Sequence, residues 1–374
     1  MSIKIKAFIW IMAITAVTAA ILVYSNYLSN AHFIERTKKT ELGLVAKLIQ
    51  NDLIDQSNDA MAKVALITER QDVKEAFREQ DRDKLANLLL PTFKTLKNKY
   101  NVREAQFNIA PATVFFRLHN IKTFGDDDST FREMVLMAHK NKKDYQGIEV
   151  GRSGVNIRGI DIIEDDKGVI GSFEIGMSFG TILDDIKKTV DFEAAVFMND
   201  SLMTKVATAR PRAPQERIFG NLQGIGATDW EKILPLMDEK MLSKVNDVTS
   251  MTKNIQGTDY GVVLLPLLDF RGNEIGVVVA VSNYSHFQAE LRQAMITSAA
   301  LALFQIIFVS CIVLIALHVL YARPLEDVNA TMQKWLANDD TAKLDAVAQR
   351  KDEIGLIASN ATALKLQRDQ LKKA

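Results

Sequence analysis

Two charge-free apolar runs frame the chain, and between them the apolar positions follow first a helical and then a strand-like rhythm. From Ala7 to Tyr24 the run AFIWIMAITAVTAAILVY carries no charge. As a helix it spans about 27 Å, and Ser25 to Leu28 can extend it far enough to cross a bilayer. Lys4 and Lys6 precede it, and Tyr24 and Tyr27 close it like an interface belt. The second run, Ile296 to Leu320, lies between Arg292 and Arg323 and reaches about 37 Å as a helix. The first run is long for the apolar part of a cleaved signal peptide. With a second span present, an uncleaved anchor is the simpler account. The pattern therefore predicts a cytoplasmic segment at 1–6 and spans at 7–28 and 295–321.

After the first span, Phe33, Leu42, Val45, Leu48, Ile49, Leu53, Ala60, Val64 and Ile67 recur at helical spacing. This predicts a stalk helix over 29–70, about 60 Å long. Gln71 to Gln80 and Lys84 to Tyr100 read as further helix, with a kink or break expected at Pro91. A first strand is expected from Glu104 to Ile109. From Ala112 to Gly180, short apolar runs then alternate with Gly and Asp turns around one helical segment, FREMVLMAHKNKK. That is the pattern of a small antiparallel sheet with a helix over one face.

The chain also repeats itself. KGVIGSFEIGMS (Lys167 to Ser178) aligns with RGNEIGVVVAVS (Arg271 to Ser282) after a one-residue slip before the Ile-Gly pair. An amphipathic helix follows each copy, and the second runs straight into the second span. The fold class expected is α+β: two sheet modules in series, at 71–190 and 191–294, between a stalk helix and the second span.

A membrane anchor, a long stalk helix, two PAS-like sheets and a second anchor resemble the double-Cache extracytoplasmic sensors. The stretch FFRLHN, FGDDDSTFREMV, GIEVGRSGVNIRGI and GSFEIG resembles the variant found in bacterial chemoreceptors, sensor kinases and diguanylate cyclases. The resemblance covers roughly residues 30 to 290 and implies ligand sensing in the membrane-distal module. The tail at 322–374 carries a second resemblance. Pro324, Leu325, Val328 and Met332 open one short heptad helix, and Glu353, Ile354, Gly355 and Ile357 begin another. A Pro just past a span and Asp-Glu-x-Gly between two such helices resemble a HAMP linker, which implies a parallel four-helix bundle in a homodimer. The alternative is an amphipathic tail lying on the membrane.

Composition narrows the function. The 46 basic and 46 acidic residues balance, so no basic bias points to nucleic acid. The single cysteine, Cys311, lies inside the second span, so the chain has no disulfide framework, thiol metal site or c-type haem motif. Its five histidines are scattered without ligand spacing, and neither a cofactor nor a metal is expected. Gly151-Arg-Ser-Gly reads as a turn, and its Ser has no His and Asp partners in evidence, so no enzyme is expected.

Charged residues do stand inside the apolar runs of the distal module. Arg117 and His119 fall two apart on one expected strand, Asn156 and Arg158 likewise on another, and Arg152 sits in the Gly turn before it. Arg117, His119, Arg152 and Arg158, with Asp126, Arg132 and Glu149, form the candidate ligand-binding set. Converging guanidinium groups would suit a carboxylate or phosphate. The other possibility is that they pair with Asp126, Asp127, Glu149 or Glu174 to fix the fold. If the acids face the pocket, an amine becomes the better ligand.

The function expected is a transmembrane receptor in a bacterial inner membrane, multi-pass, with cytoplasmic termini. A large periplasmic sensor would bind a small molecule and relay through HAMP. The alternative is a membrane-anchored scaffold or regulatory subunit whose periplasmic part binds a protein. Past Leu371 the sequence carries no phosphoacceptor His segment, cyclase loop or chemoreceptor hairpin. Output is therefore expected from a separate kinase, chemoreceptor or cyclase, unless the chain is a shortened receptor.

Overall fold

The computed structural model describes residues 3–373 apart from 244, 338 and 340, with the side chains at 3–5, 7, 372 and 373 also outside the described set. Residues 1 and 2 of the expected cytoplasmic segment, the Lys4 side chain and two positions of the tail connector thus lie outside the described residues. The chain separates into two compact units, residues 35–288 and residues 1–34 with 289–374.

The first apolar run and the amphipathic stripe share one helix, α1 (Ile3–Thr68), followed by α2 (Gln71–Arg78) and α3 (Arg82–Tyr100). The break expected at Pro91 does not occur. Pro91 removes one intrahelical donor, but Leu85, Leu89 and Phe93 on either side are buried in one core and hold α3 together.

The distal sheet comprises β1 (Val102–Ile109), β2 (Thr113–Arg117), β3 (Tyr145–Gly151), β4 (Gly154–Asp165) and β5 (Gly168–Met177), with α4 (Glu133–Asn141) inserted after β2. Its order is β2-β1-β5-β4-β3 and all its pairings are antiparallel. One face is apolar: Ala105 and Phe107 of β1 and Phe173 and Ile175 of β5 pack with residues of α1, α2 and α3.

After α5 (Gly180–Val190) the second sheet is built from β6 (Glu193–Asn199), β7 (Ile218–Phe219), β8 (Leu222–Ala227), β9 (Thr249–Ile255), β10 (Thr258–Leu268) and β11 (Glu274–Asn283). The short helices α6 (Asp200–Val206), α7 (Trp230–Ile233) and α8 (Glu239–Leu242) lie in its connections. Its order is β7-β8-β6-β11-β10-β9. Two clasps join the sheets. Ala209 N–H donates to the Arg152 carbonyl at 2.9 Å, and Phe270 N–H to the Ile148 carbonyl at 3.1 Å. Phe270 also meets Tyr145 edge-on beside α4.

In the other unit, α9 (Ser285–Leu317) carries the second apolar run, and both α1 and α9 contain stretches long and apolar enough to cross a membrane. Asn26 Nδ2 donates to Ser298 Oγ at 2.5 Å, and Ser310 Oγ lies 3.0 Å from Met12 Sδ, so polar contacts link the two apolar helices. A π-helical turn, His318–Ala322, leads into α10 (Arg323–Leu336), then α11 (Asp345–Ala348) and α12 (Glu353–Lys373). Val328, Trp335, Leu344, Ala358 and Ala361 form a small core here. Pro324, Ile354 and Gly355 are also buried and Leu325 half-buried, while Met332, Glu353 and Ile357 are exposed.

Candidate functional site

The second face of the distal sheet is polar, and it is buried. Along β1, Glu104, Gln106 and Asn108 alternate with Ala105 and Phe107, and all of them are buried. Opposite faces in a strand take alternate residues, so an apolar face against α1 to α3 leaves a polar one behind. The register continues this face across the sheet: Gln106 pairs with Glu174 and Arg117, Arg158 with Gly176, and Glu149 with Asn156.

Buried charge must be compensated, and here it is compensated by an ion network. Arg132, at the start of α4, donates Nε to Glu149 Oε2 at 2.8 Å and Nη1 to Glu174 Oε1 at 2.9 Å, and its Nη2 also bonds Glu174. The other oxygen of Glu149 accepts the Met134 backbone N–H at 2.7 Å, which fixes the first turn of α4. Arg158 Nη2 donates to Glu104 Oε2 at 2.7 Å. Burial alone would raise the Glu174 pKa, but the guanidinium groups of Arg132 and Arg158 overcome it and hold the carboxyl at about 2. The same two glutamates keep Arg132 protonated despite its burial.

Arg158 is the one member of this network with donors to spare. Its side chain is 1% exposed, yet Nε and Nη1 have no hydrogen-bond acceptor among the described residues. Nη1 stands 3.6 Å from Glu174 Oε2, an ion pair too long for a hydrogen bond. Room for the guanidinium comes from Gly151, where a Cβ would strike Nη2.

A cavity of about 350 Å³ opens on this face, lined by Glu104, Gln106, Arg117, His119, Asp126, Asp128, Arg132, Arg152 and Arg158 among others. The segment from Asn120 to Asp128 forms its outer wall. Arg117 Nη1 bonds Asp126 and reaches the Thr123 carbonyl at 3.3 Å, while Arg152 Nε donates to Asp128 Oδ1 at 3.0 Å. The Arg117 hydrogen bond lowers the pKa of Asp126, whereas burial raises that of Asp128. Arg82 stacks between Phe115 and Phe124, 4.5 and 4.0 Å from the ring centres, and so pins the same segment from behind.

Of the seven residues expected at a ligand site, six line this cavity: Arg117, His119, Asp126, Arg132, Arg152 and Arg158. Glu149 lies behind them, holding Arg132. Every one of the four arginines already has a carboxylate partner. His119 is not on β2 with Arg117, because the strand ends at Arg117; its Nδ1 sits 3.2 Å from the Ala105 backbone N, and burial lowers its pKa. Asp127 points to solvent and accepts the Ser129 N–H. Sequence reasoning missed Glu104, Gln106 and Asn108, although their alternation with Ala105 and Phe107 was there to read. Among the described residues no three His, Cys, Asp or Glu side chains gather as a metal cage.

Residues 38–287 match a family described as the double sensory domain of two-component sensor kinases. The chain belongs to this family. Such double sensory domains are extracytoplasmic and serve ligand sensing in signalling proteins. No curated protein matches the chain. Among solved structures, it is similar to the extracellular domain of a protein named as a histidine kinase, vpHK1S-Z8, at 14% identity and a TM-score of 0.44, covering 70% of this chain and 96% of that one. It is similar to the ligand-binding domain of the Campylobacter jejuni chemoreceptor Tlp3 in complex with L-valine, at 10% identity and 0.41, covering 72% and 98%. The periplasmic domain of Vibrio cholerae LuxQ follows at 10% and 0.39, covering 66% and 99%. Likenesses this distant say nothing about ligand or residue roles.

Proposed function

We propose that this double sensory domain is the extracytoplasmic part of a transmembrane receptor that binds a small carboxylate-bearing metabolite on the polar face of its distal sheet. One observation supports the ligand most: the buried Arg158 guanidinium, with two N–H groups unpaired beside a 350 Å³ cavity. Leaving a buried donor unsatisfied costs about 1–3 kcal/mol, more when it is charged. A carboxylate in the cavity would accept from one of them, since Nε–H and Nη1–H lie on opposite edges of the guanidinium. Arg117 and Arg152 on the opposite wall, with Asp126 and Asp128, would orient the rest of the ligand.

In this reading the distal module is 71–190 and the proximal module 191–294, with spans at 7–28 and 295–321 and a HAMP module at 322–374. The chain acts as a homodimer in a bacterial inner membrane, with both termini cytoplasmic, and reports to a separate or additional output domain. The exposed Met332 and Ile357, apolar and outside the small core of the tail, would face the partner chain in a four-helix bundle. Val328 is buried within its own chain. A crosslinking probe therefore belongs at Met332, in a Cys311→Ser background, with Asn329 as the surface control. Equal crosslinking rates at the two positions would rule out the bundle.

The ligand test uses the full chain in nanodiscs, screened by thermal shift against small carboxylates and their uncharged amides. A carboxylate at a hundred times its dissociation constant should stabilise by about 2.7 kcal/mol, and its amide should not. Arg158→Lys keeps the charge but loses the planar fork, and should weaken binding at least tenfold while the circular dichroism stays native. Unchanged affinity in Arg158→Lys would remove Arg158 from the site. For topology, alkaline phosphatase inserted in the Asp200 to Gly220 region should be active, and active phosphatase at the C-terminus would overturn the arrangement.

A further inference from the structure

A second cavity, of about 420 Å³, lies between the two sheets, bounded by β1 and β4 on one side, β6 and β8 on the other, and the start of α5. It shares the wall of Glu104, His119 and Ser153 with the distal cavity, but its electrostatics are opposite. In the distal cavity each arginine meets a carboxylate. Here two arginines, Arg103 and Arg210, line the cleft without one. Among the described residues the Arg103 side chain makes no ion pair or hydrogen bond, and the Arg210 side chain donates one N–H to the Ile225 carbonyl and meets no acidic group. Both side chains are exposed at the rim of the cleft; partial desolvation and the like charge of Arg103 lower the Arg210 pKa, so the two cations are close enough to repel. The lining contains a single acid, Glu104, and Arg158 already occupies it. The first turn of α5, which also lines the cleft, has no acidic residue and no side-chain cap, so its free N–H groups add positive potential.

We propose that this cleft is a second binding site, taking a small oxyanion such as phosphate or a dicarboxylate between Arg103 of the distal sheet and Arg210 of the proximal one. Guanidinium groups bind such anions through paired, charge-assisted hydrogen bonds, and an anion here turns a repulsion into a bridge. The bridge falls beside the clasp in which Ala209 bonds Arg152, which also lines the distal cavity. The oxyanion therefore sets how the two sheets meet, and through linkage it changes affinity at the distal cavity.

The test is calorimetric titration of the full chain in nanodiscs with inorganic phosphate and with succinate, at constant ionic strength set by chloride. One of the two anions should bind, and whichever is tighter identifies the class. Arg103→Gln with Arg210→Gln should weaken that binding more than tenfold, and Lys188→Gln, which removes one exposed charge elsewhere on α5, should not. Without anion the double variant should melt at the same temperature as the parent or higher, since a repulsion is gone. No binding of either anion beyond chloride, or undiminished binding to the double variant, overturns the proposal. Arg158→Lys separates this site from the distal cavity: succinate binding lost in Arg158→Lys but kept in Arg103→Gln with Arg210→Gln belongs to the distal cavity and overturns the cleft proposal for that anion, whereas the reverse pattern supports it.

Discussion

The two sheets are built on one plan and used for different purposes. Strand order β2-β1-β5-β4-β3 in the first recurs as β8-β6-β11-β10-β9 in the second, with β7 added at the edge. The Ile-Gly pair of the repeat has the same physical role in both. A Cβ on Gly171 would strike the Asn108 carbonyl, and one on Gly276 the Phe197 carbonyl, each on the neighbouring strand. Three residues on, the copies diverge: Glu174 in β5 corresponds to Val279 in β11. Both are buried, Glu174 in an ion network and Val279 among Phe197, Val262, Leu264 and Val277. The same face is thus polar and beside a cavity in one module, and packed with aliphatic side chains in the other. A sheet needs only one apolar face to be held by its helices, which leaves the other free to carry chemistry.

If the polar face is held by its charges, removing one partner should cost more than removing methyl groups from the aliphatic face. Among the described residues Arg132→Ala leaves Glu149 and Glu174 with no close cation except Arg158 at 3.6 Å from Glu174, and it should destabilise the distal sheet by about 3–5 kcal/mol. Val279→Ala in the proximal sheet should cost about 2 kcal/mol. Hydrogen exchange resolved by peptide separates the two, because each sheet is then read by its own protection. Equal losses in the two variants would mean the network contributes no more than packing.

Much of this contrast was legible in the sequence. The twelve-residue repeat pointed to two sheets, and the alternation within ATVFFRLHN and VNIRGIDII put Arg117 and Arg158 on strands. What could not be read is who meets whom. Arg158 pairs with Glu104, fifty-four residues away in sequence, and Arg152 with Asp128, twenty-four residues back beyond β3 and α4. Local periodicity fixes the face of a residue but not its partner on another strand. The same limit applies to Phe270, whose clasp on Ile148 joins modules more than a hundred residues apart. Pro91 does not break α3 for a related reason: its local penalty is real, but tertiary burial of Leu89 and Phe93 holds the helix together.

Acid should expose the distal sheet through Glu174. Its carboxyl is shifted from 4.5 to about 2 in the folded chain, so the folded state binds its proton less readily than the unfolded one. A depressed pKa gives stability that is complete above pH 4.5 and lost as pH falls towards 2. The full contribution is on the order of 3 kcal/mol. Asp128 has the opposite sign, because burial raises its pKa and protonation relieves that cost. Between pH 4.5 and 2, β5 should therefore lose protection steeply. Glu174→Gln should flatten that dependence, and a steep loss surviving in that variant would move the acid response elsewhere.

The smallest effect concerns the one acid that the proximal sheet does bury. Glu193, at the start of β6, accepts Lys232 Nζ at 2.7 Å, Lys187 Nζ at 3.0 Å and Thr228 Oγ1 at 2.7 Å. Burial would raise its pKa, but these donors bring it to about 2, as in Glu174. The likeness is only in the carboxyl. The Lys232 side chain is 62% exposed and Lys187 37%, whereas Arg132 is 3%. Exposed partners are screened by salt and contribute about 1 kcal/mol or less, while buried ones are screened much less. Glu193→Gln should therefore cost the proximal sheet about 1 kcal/mol at low ionic strength, and molar salt should shrink that loss. The loss caused by Arg132→Ala should persist in the same salt. If salt weakened both equally, the distal network would have to be in contact with solvent, and the contrast between a buried polar face and a surface ion pair would fail.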